Sequence, residues 1–513
     1  MKKDFFATDW QRYLPHPVCG AHPEYDAFYQ RAWELARDHV KHIPGLPQSP
    51  YMDEGLCDTQ IWIWDTCFMA LYCKFAPEVF PGVESFRNFY EVLVNGRILP
   101  EVIPGADEPF WTKATPGVPI PLKVHIADNP PLFAFAEYEN AMMHGDAEYV
   151  KDLLYNKRSL QGHYEWVESL TERITLPGVL LPTYLRHEEC GYTWEGGSSG
   201  MDNTPRGKKT PRFEKERPNN PDMLWVDAIC QQALSAKCIA KLFALVGDTE
   251  GEAEWNARFA EKQRLVNDLY WDDRDSFYYD IDRNDHSFYR VMTTASYWAL
   301  TAGIATEERA AAMVARAEDP ETLGGDLPLL SLARNDPDFA ETGRYWRGAL
   351  WLPTAYASLK GISAYGYQKS AHVAAKKILQ YMLKTYEDYE PHTIWECYAP
   401  VGHRPADNPR GTATVRHDFC GWSALGPISI YLEYVLGFHT INAFTSTVEW
   451  EKPEDMGDRI GVENLRFGNV VTDIIAEGDR CHVRSNLPFT LRINGRAYEI
   501  AAGENTFTIR KES

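Results

Sequence analysis

Apolar residues recur at the three- and four-residue spacing of amphipathic helices along most of the first 440 residues, with long polar loops between them. The pattern predicts helices over 24–42, 131–143, 147–172, 227–245, 252–269, 293–302, 307–316, 348–359, 367–385 and 421–436. The loops at 51–60, 99–127, 185–221 and 389–419 carry Trp, Asp, Glu, His and Arg together. Loops of this length in a compact domain usually form lids or the walls of a site, so we expect a site there.

The pattern changes to short alternating runs after about residue 444. Apolar and polar residues alternate at 470–475, 481–485, 489–495 and 506–510, as in strands with one buried face. Asn494 and Gly495 stand between two apolar runs and indicate a hairpin turn. The sequence therefore predicts a helical domain over 1–445 and a small, sandwich-like antiparallel β domain over 446–513 with a structural role.

Charge and composition exclude several function classes. The chain has 52 Lys and Arg against 73 Asp and Glu, a net charge of −21 at pH 7. Nucleic acids and anionic membranes attract basic surfaces, so this balance argues against both as partners. The two lysines at the amino terminus precede no apolar segment of the secretory kind, and no run approaches the roughly 18 apolar residues of a membrane helix. The ten cysteines form no CxxC pair. We expect reduced thiols in a cytoplasmic protein, and the sequence leaves the oligomeric state open.

Sixteen tryptophans are an unusual number, and either core packing or the binding of sugar rings explains such a count. Their positions are informative, because several stand beside charged residues. The segment IWIWDTCFMA at 61–70 opens a helix with Trp62, Trp64 and Asp65, although an isolated Asp65 would be interpreted as an N-cap. The segment GGSSGMDNTPR at 196–206 follows Trp194, and its small residues are also typical of a plain turn.

Two further segments have the same character. YWRGALWLP at 345–353 places aromatic rings on both sides of Arg347, which suits sugar stacking and charged hydrogen bonds. A surface cation–π pair would give the same local pattern. TIWECYAP at 393–400 is followed by RHDFCGWSA at 416–424. Each segment alone is a weak signal, and their order along the chain is more specific.

In that order the segments resemble the glycosidases built on an (α/α)6 barrel: glycoside hydrolase family 63, the trehalases and, most closely, the mannosylglycerate and glucosylglycerate hydrolases. The family pattern W-x-W-D-x-x-F, P-P-L/V, S-G-x-D-N-S/T-P, Y-W-R-G-x-x-W, W-E-x-x-x-P and F-G-W-S-A has counterparts at 62–68, 130–132, 199–205, 345–351, 395–400 and 419–424. The resemblance covers roughly residues 25–440 and implies a mainly α toroid. Cys420 interrupts the last motif, and Asp128 and Asn129 precede the P-P motif where relatives often carry Gln. Both departures bear on the identity of the sugar.

The resemblance implies that Asp202 is the general acid and Glu396 the general base. An inverting glycosidase needs such a pair about 6.5–9.5 Å apart, one carboxyl protonating the leaving oxygen and the other activating water. Trp194 and Met201 would desolvate Asp202 and raise its pKa. Asp65 would bind sugar hydroxyls, and Arg347 would bind a hydroxyl or lie near the acid. The resemblance also implies aromatic and polar contacts to the sugar from Trp62, Trp64, Asn129, Trp194, Tyr345, Trp346, Trp351, Trp395 and Trp422.

Other carboxylates compete for these roles, namely Glu54, Glu195, Asp227 and Asp418. The histidines lack the spacing of a metal site, and neither a phosphate loop nor a dinucleotide motif is present. We therefore expect no catalytic metal and no cofactor, while a structural cation stays open. The basic stretch 206–221 either shapes the subsite for the leaving group or is a solvated charged loop.

The predicted function is that of an inverting, exo-acting α-glycosidase with a small carbohydrate substrate. The preferred substrate class is a small α-glucoside or the terminal glucose of an oligosaccharide, with α-mannosides and a glycerate aglycone as variants. Two alternatives remain at this point. One is a sugar isomerase or epimerase on the same barrel, which would need paired histidines. The other is a catalytically silent carbohydrate-binding protein that kept the pocket.

Overall fold

The computed structural model describes residues 3–42, 50–54, 60–91, 102–104, 124–125, 132–171, 179–180, 185–207 and 220–510. Within these ranges the α-helices are α1 Glu24–Asp38, α2 Ile63–Cys73, α3 Gly82–Glu91, α4 Phe133–His144, α5 Ala147–Lys151, α6 Ser159–Glu168, α7 Val226–Leu245, α8 Thr249–Leu269, α9 Trp298–Thr301, α10 Glu307–Glu318, α11 Leu352–Ala364 and α12 Gln368–Asp388. Short 3-10 segments are Trp10–Tyr13, Thr294–Tyr297 and Ser423–Leu425, and π-helical segments are Asp152–Lys157 and Gly426–Val435.

Six helical segments contact one another in succession and close into a ring: α2, α4, α7, α9, α11 and the segment 423–435, which returns to α2. Ring helices are apolar on all sides, and α2 is buried at ten of its eleven positions. Helix α8, which packs outside on α7, buries only Trp255, Lys262 and Val266 of its 21 residues. A helix buried all round is apolar all round, whereas a surface helix needs one apolar stripe. The distribution of apolar residues therefore distinguishes the helices of the inner ring from the helices that pack outside it.

Four ring segments begin directly after a tryptophan: α2 after Trp62, α7 after Trp225, α11 after Trp351 and the 423–425 turn after Trp422. Their amino-terminal ends meet at one mouth of the ring, so their carboxyl-terminal ends meet at the other. Helix α11 begins four residues later than predicted, because Gly348 has a φ of 121° and Pro353 stands in the first turn.

Most predicted helices are confirmed to within a few residues, and three are not continuous α-helices. The predicted helix 293–302 is the 3-10 turn Thr294–Tyr297 followed by the short α9. The predicted helix 147–172 consists of α5, a π-helical turn and α6, because Arg158 takes a left-handed φ of 52° between them. The predicted helix 421–436 is a 3-10 turn followed by the π-helical segment Gly426–Val435. The spacing of apolar residues indicates which face of a helix is buried. It does not distinguish the hydrogen-bond patterns of α-, 3-10 and π-helices.

The strands are β1 His16–Cys19, β2 Val40–Lys41, β3 Tyr51–Met52, β4 Gln60–Trp62, β5 Val102–Pro104, β6 Val124–His125, β7 Val179–Leu180, β8 Arg186–Glu188, β9 Gly191–Thr193, β10 Met223–Leu224, β11 Trp271–Asp272, β12 Phe277–Tyr278, β13 Asp280–Asp282, β14 Phe288–Tyr289, β15 Thr440–Asn442, β16 Thr447–Trp450, β17 Arg459–Phe467, β18 Val470–Glu477, β19 Arg480–Ser485, β20 Phe489–Ile493, β21 Arg496–Ile500 and β22 Gly503–Thr508. A five-stranded sheet of order β14-β13-β10-β9-β8 lies where the loops of the candidate site begin and end.

The carboxyl-terminal region forms two sheets, ordered β1-β17-β18-β19-β22 and β15-β16-β20-β21. The predicted hairpin is confirmed: Asn494 and Gly495 both have positive φ, at 47° and 77°, and connect β20 to β21. The prediction of a purely antiparallel domain is wrong in one place, because β16 and β20 pair in parallel within the second sheet. The alternation of apolar and polar residues within a strand does not show whether it pairs with its neighbour in parallel or antiparallel. Strand β1 adds an amino-terminal segment to the first sheet.

The sequence predicts reduced cysteines and no membrane-spanning helix. The nine cysteines in the described ranges are free, and eight of them are buried. By length and composition, helix α7 could cross a membrane, but 78% of its most apolar 18-residue window is buried inside the fold. It has the burial of a core helix.

Glu137 on α4 is a buried carboxyl held by two phenols. Tyr90 Oη donates to it at 2.8 Å, and Tyr149 Oη donates at 2.9 and 3.0 Å. Burial raises the pKa of Glu137 to about 7, although both hydrogen bonds oppose the rise. The folded state therefore holds this proton more tightly than the unfolded chain does. Stability contributed by this group falls as pH rises from about 4.5 to 7.

We expect Glu137→Gln, which keeps an acceptor and never ionises, to remove this pH dependence. Relative to wild type, the variant should gain on the order of 3 kcal/mol of unfolding free energy between pH 4.5 and pH 8. Thermal and urea unfolding at both pH values measure the difference. The exposed Glu148→Gln is the control and should show no such trend; equal behaviour of the two variants would contradict the assignment.

Candidate functional site

The loop that carries Asp202 runs from β9 to β10 and is built from local turns. Glu195 accepts hydrogen bonds from Ser198 N and Ser198 Oγ, at 3.1 and 3.3 Å, and so closes the first turn. Gly200 has a φ of 76° and lies against the indole of Trp64, where an added Cβ would stand 2.7 Å from Cζ2. Glycine is therefore required at this position, because both the backbone and the close approach exclude a side chain. These contacts bring Asp202, which is half-buried, beside the start of α2.

Arg206 anchors the same loop in the protein interior. Its Nη1 and Nη2 each donate to Asp227 at 2.7 Å, and Nε and Nη2 donate to Asp280 at 2.8 and 2.6 Å. The guanidinium stands 4.5 Å from the centroid of the Trp225 ring. Arg206 is 1% exposed, so these contacts replace its hydration completely. The loop is thereby fixed to the start of α7 and to β13.

Glu396 lies opposite this loop and is 4% exposed. Tyr345 Oη donates to its Oε1 at 2.8 Å, and Arg416 N donates to its Oε2 at 3.3 Å. Trp422 Nε1 and Ser423 Oγ donate to its backbone oxygen, at 2.7 and 3.1 Å. Burial raises the pKa of Glu396, and the two donors to its carboxylate oppose that rise. Both carboxylate oxygens act as acceptors here, as in an ionised group.

Tyr345 stands where the two predicted catalytic carboxylates meet. Burial raises the pKa of its phenol, and the charges of Glu396 and Asp202 raise it further. Asn203 joins the two sides, because its Oδ1 accepts from Trp346 N at 2.8 Å and its Nδ2 donates to Arg344 O at 2.9 Å. The residue next to Asp202 therefore holds the residues on either side of Tyr345.

The backbone of Tyr345 is strained and is held from several directions. Arg344 and Tyr345 have φ values of 37° and 68°, in the left-handed region that costs a side-chain-bearing residue free energy. Tyr345 N donates to Asp407 O at 2.9 Å, and Trp351 Nε1 donates to Tyr345 O at 3.1 Å. This conformation aims the phenol at Glu396.

The predicted aromatic wall divides into two groups. Trp346 and Trp351 stack at 4.0 Å, with Trp422 5.5 Å from Trp351, and all three are almost fully buried. Trp395 is 3% exposed and Trp194 is fully buried. The half-buried rings among the predicted set are Trp62, Trp64 and Tyr345. The first group supports Glu396 and the loops from behind, and the second has ring surface that reaches solvent.

The structure also places the remaining predicted residues. Asp65 is 3% exposed in the first turn of α2. Arg347 Nη1 lies 3.3 Å from Asp338 Oδ1, so its guanidinium is partly engaged within the protein. Asn129 lies outside the described residues. The assignment of these residues to sugar contacts stays a prediction.

Three of the four competing carboxylates have structural partners that the structure defines. Asp227 is bound by Arg206, and Glu195 closes a turn. Asp418 faces Arg31 at 3.5 Å and His417 at 2.8 Å on the surface side. Glu54 is fully buried, with its backbone oxygen close to Gly421. Within the described ranges, no group of three or more His, Cys, Asp or Glu side chains is arranged to hold a metal ion. The expectation of no catalytic metal stays a prediction.

The sequence does not indicate the roles of Arg206, Asp280 and Asn203. Arg206 opens a locally basic stretch, and that context favoured a solvated loop. Its second partner lies 74 residues further along the chain, so no local spacing could indicate the pair. Residues 208–219 of that stretch lie outside the described residues.

A family model described as "Mannosylglycerate hydrolase MGH1-like glycoside hydrolase domain" matches residues 60–407. The chain belongs to this glycoside hydrolase family. The resemblance found in the sequence is thereby confirmed, and the match favours a hydrolase over the isomerase and binding-protein alternatives. It spans both Asp202 and Glu396.

Named relatives agree with this family. Over 261 residues the chain is 29% identical to a mannosyl-oligosaccharide glucosidase of Saccharomyces cerevisiae, covering 47% of this chain and 30% of the yeast protein. Over 397 residues it is 22% identical to a mannosylglycerate hydrolase of Rubrobacter radiotolerans, covering 65% of this chain and 86% of that protein. The chain thus spans less than a third of the yeast relative.

The fold is similar to that of a family 63 mannosylglycerate hydrolase from Thermus thermophilus, solved in complex with glucose. The TM-score is 0.56 at 17% sequence identity, covering 78% of this chain and 99% of that one. At this identity the likeness concerns the fold alone. It agrees with a mainly helical protein that has a carboxyl-terminal β region.

We expect Arg206→Met to destabilise the fold by about 3–5 kcal/mol, because it leaves Asp227 and Asp280 buried without their cation. Urea unfolding followed by tryptophan fluorescence measures the loss. Arg258→Met on α8 is the control, since this partly exposed guanidinium pairs with Glu254 and its removal should cost less than about 1 kcal/mol. Similar losses in the two variants would show that the Arg206 contacts do not anchor the loop.

Proposed function

We propose that the chain is an inverting, exo-acting α-glycosidase, with Asp202 as general acid and Glu396 as general base. The proposal includes an (α/α)6 barrel of which the six-segment ring is the inner layer. One observation carries it: two distant loops meet at Tyr345, whose Oη donates to Glu396, while Asn203, the residue after Asp202, is hydrogen-bonded to Arg344 O and Trp346 N on either side of it. Convergence of two carboxyl groups at one mouth of a ring is what a single-displacement hydrolysis requires.

Glu396 suits the role of base. A base must be ionised, and donors on both carboxylate oxygens favour the ionised form. Burial still keeps its pKa above the ordinary value for Glu. A base with a pKa nearer the working pH accepts a proton from water more readily than a fully stabilised carboxylate does.

Asp202 suits the role of acid by position. It lies on the loop fixed by Arg206 and packed on Trp64, so its carboxyl has a defined place. Because it is half-buried, the leaving oxygen of a glycoside can reach it from the open side. Water activated by Glu396 would attack the anomeric carbon from the opposite face, while Asp202 protonates the departing aglycone.

The aromatic residues support a sugar as the substrate. Within the described part of the chain, the buried Nε1 groups of Trp62 and Trp395 have no protein hydrogen-bond partner. A buried donor without a partner costs free energy, which a sugar hydroxyl would recover. We infer a small α-glucoside or α-mannoside, since the named relatives include a glucosidase and a mannosylglycerate hydrolase.

We expect Asp202→Asn and Glu396→Gln each to lower kcat by about 10²–10⁴-fold. Hydrolysis of a panel of α-glucosides and α-mannosides, with the product anomer read by NMR, measures rate and stereochemistry together. Asp418→Asn, which changes a nearby surface carboxylate, should retain activity. Wild-type release of the α-anomer, or activity retained in either variant, would overturn the mechanism.

We expect Tyr345→Phe to move the acidic limb of the kcat/KM profile to higher pH. The lost hydrogen bond lowers the pKa of Glu396, so its removal raises that pKa and more base is protonated at a given pH. The value of kcat should fall roughly tenfold or more, with a smaller change in KM. Tyr155→Phe, which removes a 2.7 Å hydrogen bond to Asp248 elsewhere, should leave the profile unchanged. An unmoved limb in Tyr345→Phe would exclude this role.

A further inference from the structure

The second mouth of the helical ring contains a cleft that the proposed catalysis does not use. Two adjoining cavities of about 360 and 340 Å³ lie there, and both are lined by Tyr138, Glu139, Lys241, Lys360 and Ala364. Each volume is within the range of pockets that hold small molecules. Helix α11 has 13 residues, so this mouth is roughly 20 Å from the one where α11 begins beside Trp351.

Four charged side chains in the cleft, two lysines and two glutamates, form a network in which the charges cancel. Lys74 Nζ lies 3.2 Å from Glu139 and 3.0 Å from Glu433, and Lys360 Nζ lies 2.8 Å from Glu139 and 3.9 Å from Glu433. Burial acts to raise the pKa of Glu139, but the two lysines outweigh it and lower that pKa to about 2. These two positive and two negative charges compensate one another.

Two further lysines have no such compensation. Lys237 and Lys241 are four residues apart on α7 and line the same cleft. Lys237 Nζ donates to Ala302 O at 2.8 Å, and Lys241 Nζ stands 4.8 Å from the Tyr138 ring centroid. Among the described residues, neither ammonium has a carboxylate within 4 Å. Burial, and then the charge of Lys241, lower the pKa of Lys237 to about 8.

We propose that this cleft binds a small oxyanion, a phosphate or carboxylate group carried by a small molecule, between Lys237, Lys241 and Lys360. The chain has a net charge of −21, yet the half-buried Lys237 and the exposed Lys241 are adjacent cations at one cavity. Glu307 also lines this cavity and does not come within 4 Å of either ammonium. An anion would supply the missing charge and form charge-assisted hydrogen bonds with the ammonium groups. Hydroxyl and amide groups of Ser363, Gln368 and Thr440 line the same space and suit the polar remainder of such a ligand.

Helix ends offer a competing explanation for the lysines alone. Carboxyl-terminal helix ends carry partial negative charge and favour cations in the last turn, and Lys74 is the C-cap residue of α2. Lys241 and Lys360 lie four residues before the ends of their helices, and Lys237 lies eight residues before. The effect therefore accounts for Lys74 and does not fill a cavity. The two explanations differ in one outcome, since only a binding site responds to an added anion.

The test is a titration of the full-length protein with inorganic phosphate and with acetate at constant ionic strength, followed by thermal unfolding and calorimetry. We expect saturable binding of at least one probe, with Kd raised at least roughly tenfold in the double variant Lys237→Gln/Lys241→Gln. The surface variant Lys384→Gln and the Asp202→Asn variant should both bind as wild type does, which separates this site from general charge and from the catalytic mouth.

A second measurement does not depend on variants. Amine-reactive labelling at pH 8, read by mass spectrometry, should show Lys237 and Lys241 protected by the bound probe and Lys384 unprotected. No saturable binding of either probe below about 10 mM, or binding retained in the double variant, would overturn the proposal. Protection of all three lysines alike would do the same, because it indicates adventitious ion binding only.

Discussion

The site depends on the compensation of one buried charge, the guanidinium of Arg206. A cation at 1% exposure is tolerated only with its counter-charges in place, and these come from Asp227 at the start of α7 and Asp280 in β13. These contacts fix Arg206 on the loop that follows β9, and Asp202 lies four residues earlier on that loop. Asn203 is hydrogen-bonded to the backbone of Arg344 and Trp346, and Tyr345 between them donates a hydrogen bond to Glu396. Hydrogen bonds and short backbone segments thus connect the buried Arg206 in the core, through Asn203 and Tyr345, to Glu396.

The common direction of the ring helices gives the two mouths opposite chemistry. Amino-terminal helix ends gather at one mouth, where exposed N–H groups favour negative charge and Asp65 and Asp227 stand in first turns. Carboxyl-terminal ends gather at the other mouth, where Lys74 and Lys360 balance Glu139 and Glu433. The partial charges of the helix ends therefore favour negative charge near Asp65 and Asp227 at the first mouth. At the second mouth the same effect favours Lys74, the C-cap residue of α2.

The sequence predicted the parts of this arrangement that are encoded locally. Helical periodicity located most helices, since each must bury one side or all sides. The motif order pointed to Asp202, Glu396 and Tyr345, whose roles in catalysis and sugar binding stay a prediction. It could not predict pairs made across the fold, such as Arg206 with Asp280, because no spacing links residues 74 apart. It also predicted one wall of tryptophans, whereas Trp351, Trp395 and Trp422 are almost fully buried and Trp62 and Trp64 are half-buried. The sequence shows that a tryptophan side chain is aromatic and largely apolar. Only the packing of the folded chain determines how much of its indole ring is buried.

That division of the tryptophans bears on how Glu396 would act as the proposed base. Trp422 donates to the backbone of Glu396, and Trp351 donates to the backbone of Tyr345, so buried rings fix the main chain on both sides of one hydrogen bond. Burial raises the pKa of Glu396, while the hydrogen bonds from Tyr345 Oη and Arg416 N limit the rise. A good base needs both effects. Burial alone would raise the pKa so far that the carboxyl group stays protonated, and hydrogen-bond donors alone would lower the pKa so far that the carboxylate accepts a proton poorly. The rigid aromatic packing is what allows both to act on the same carboxylate at fixed distances.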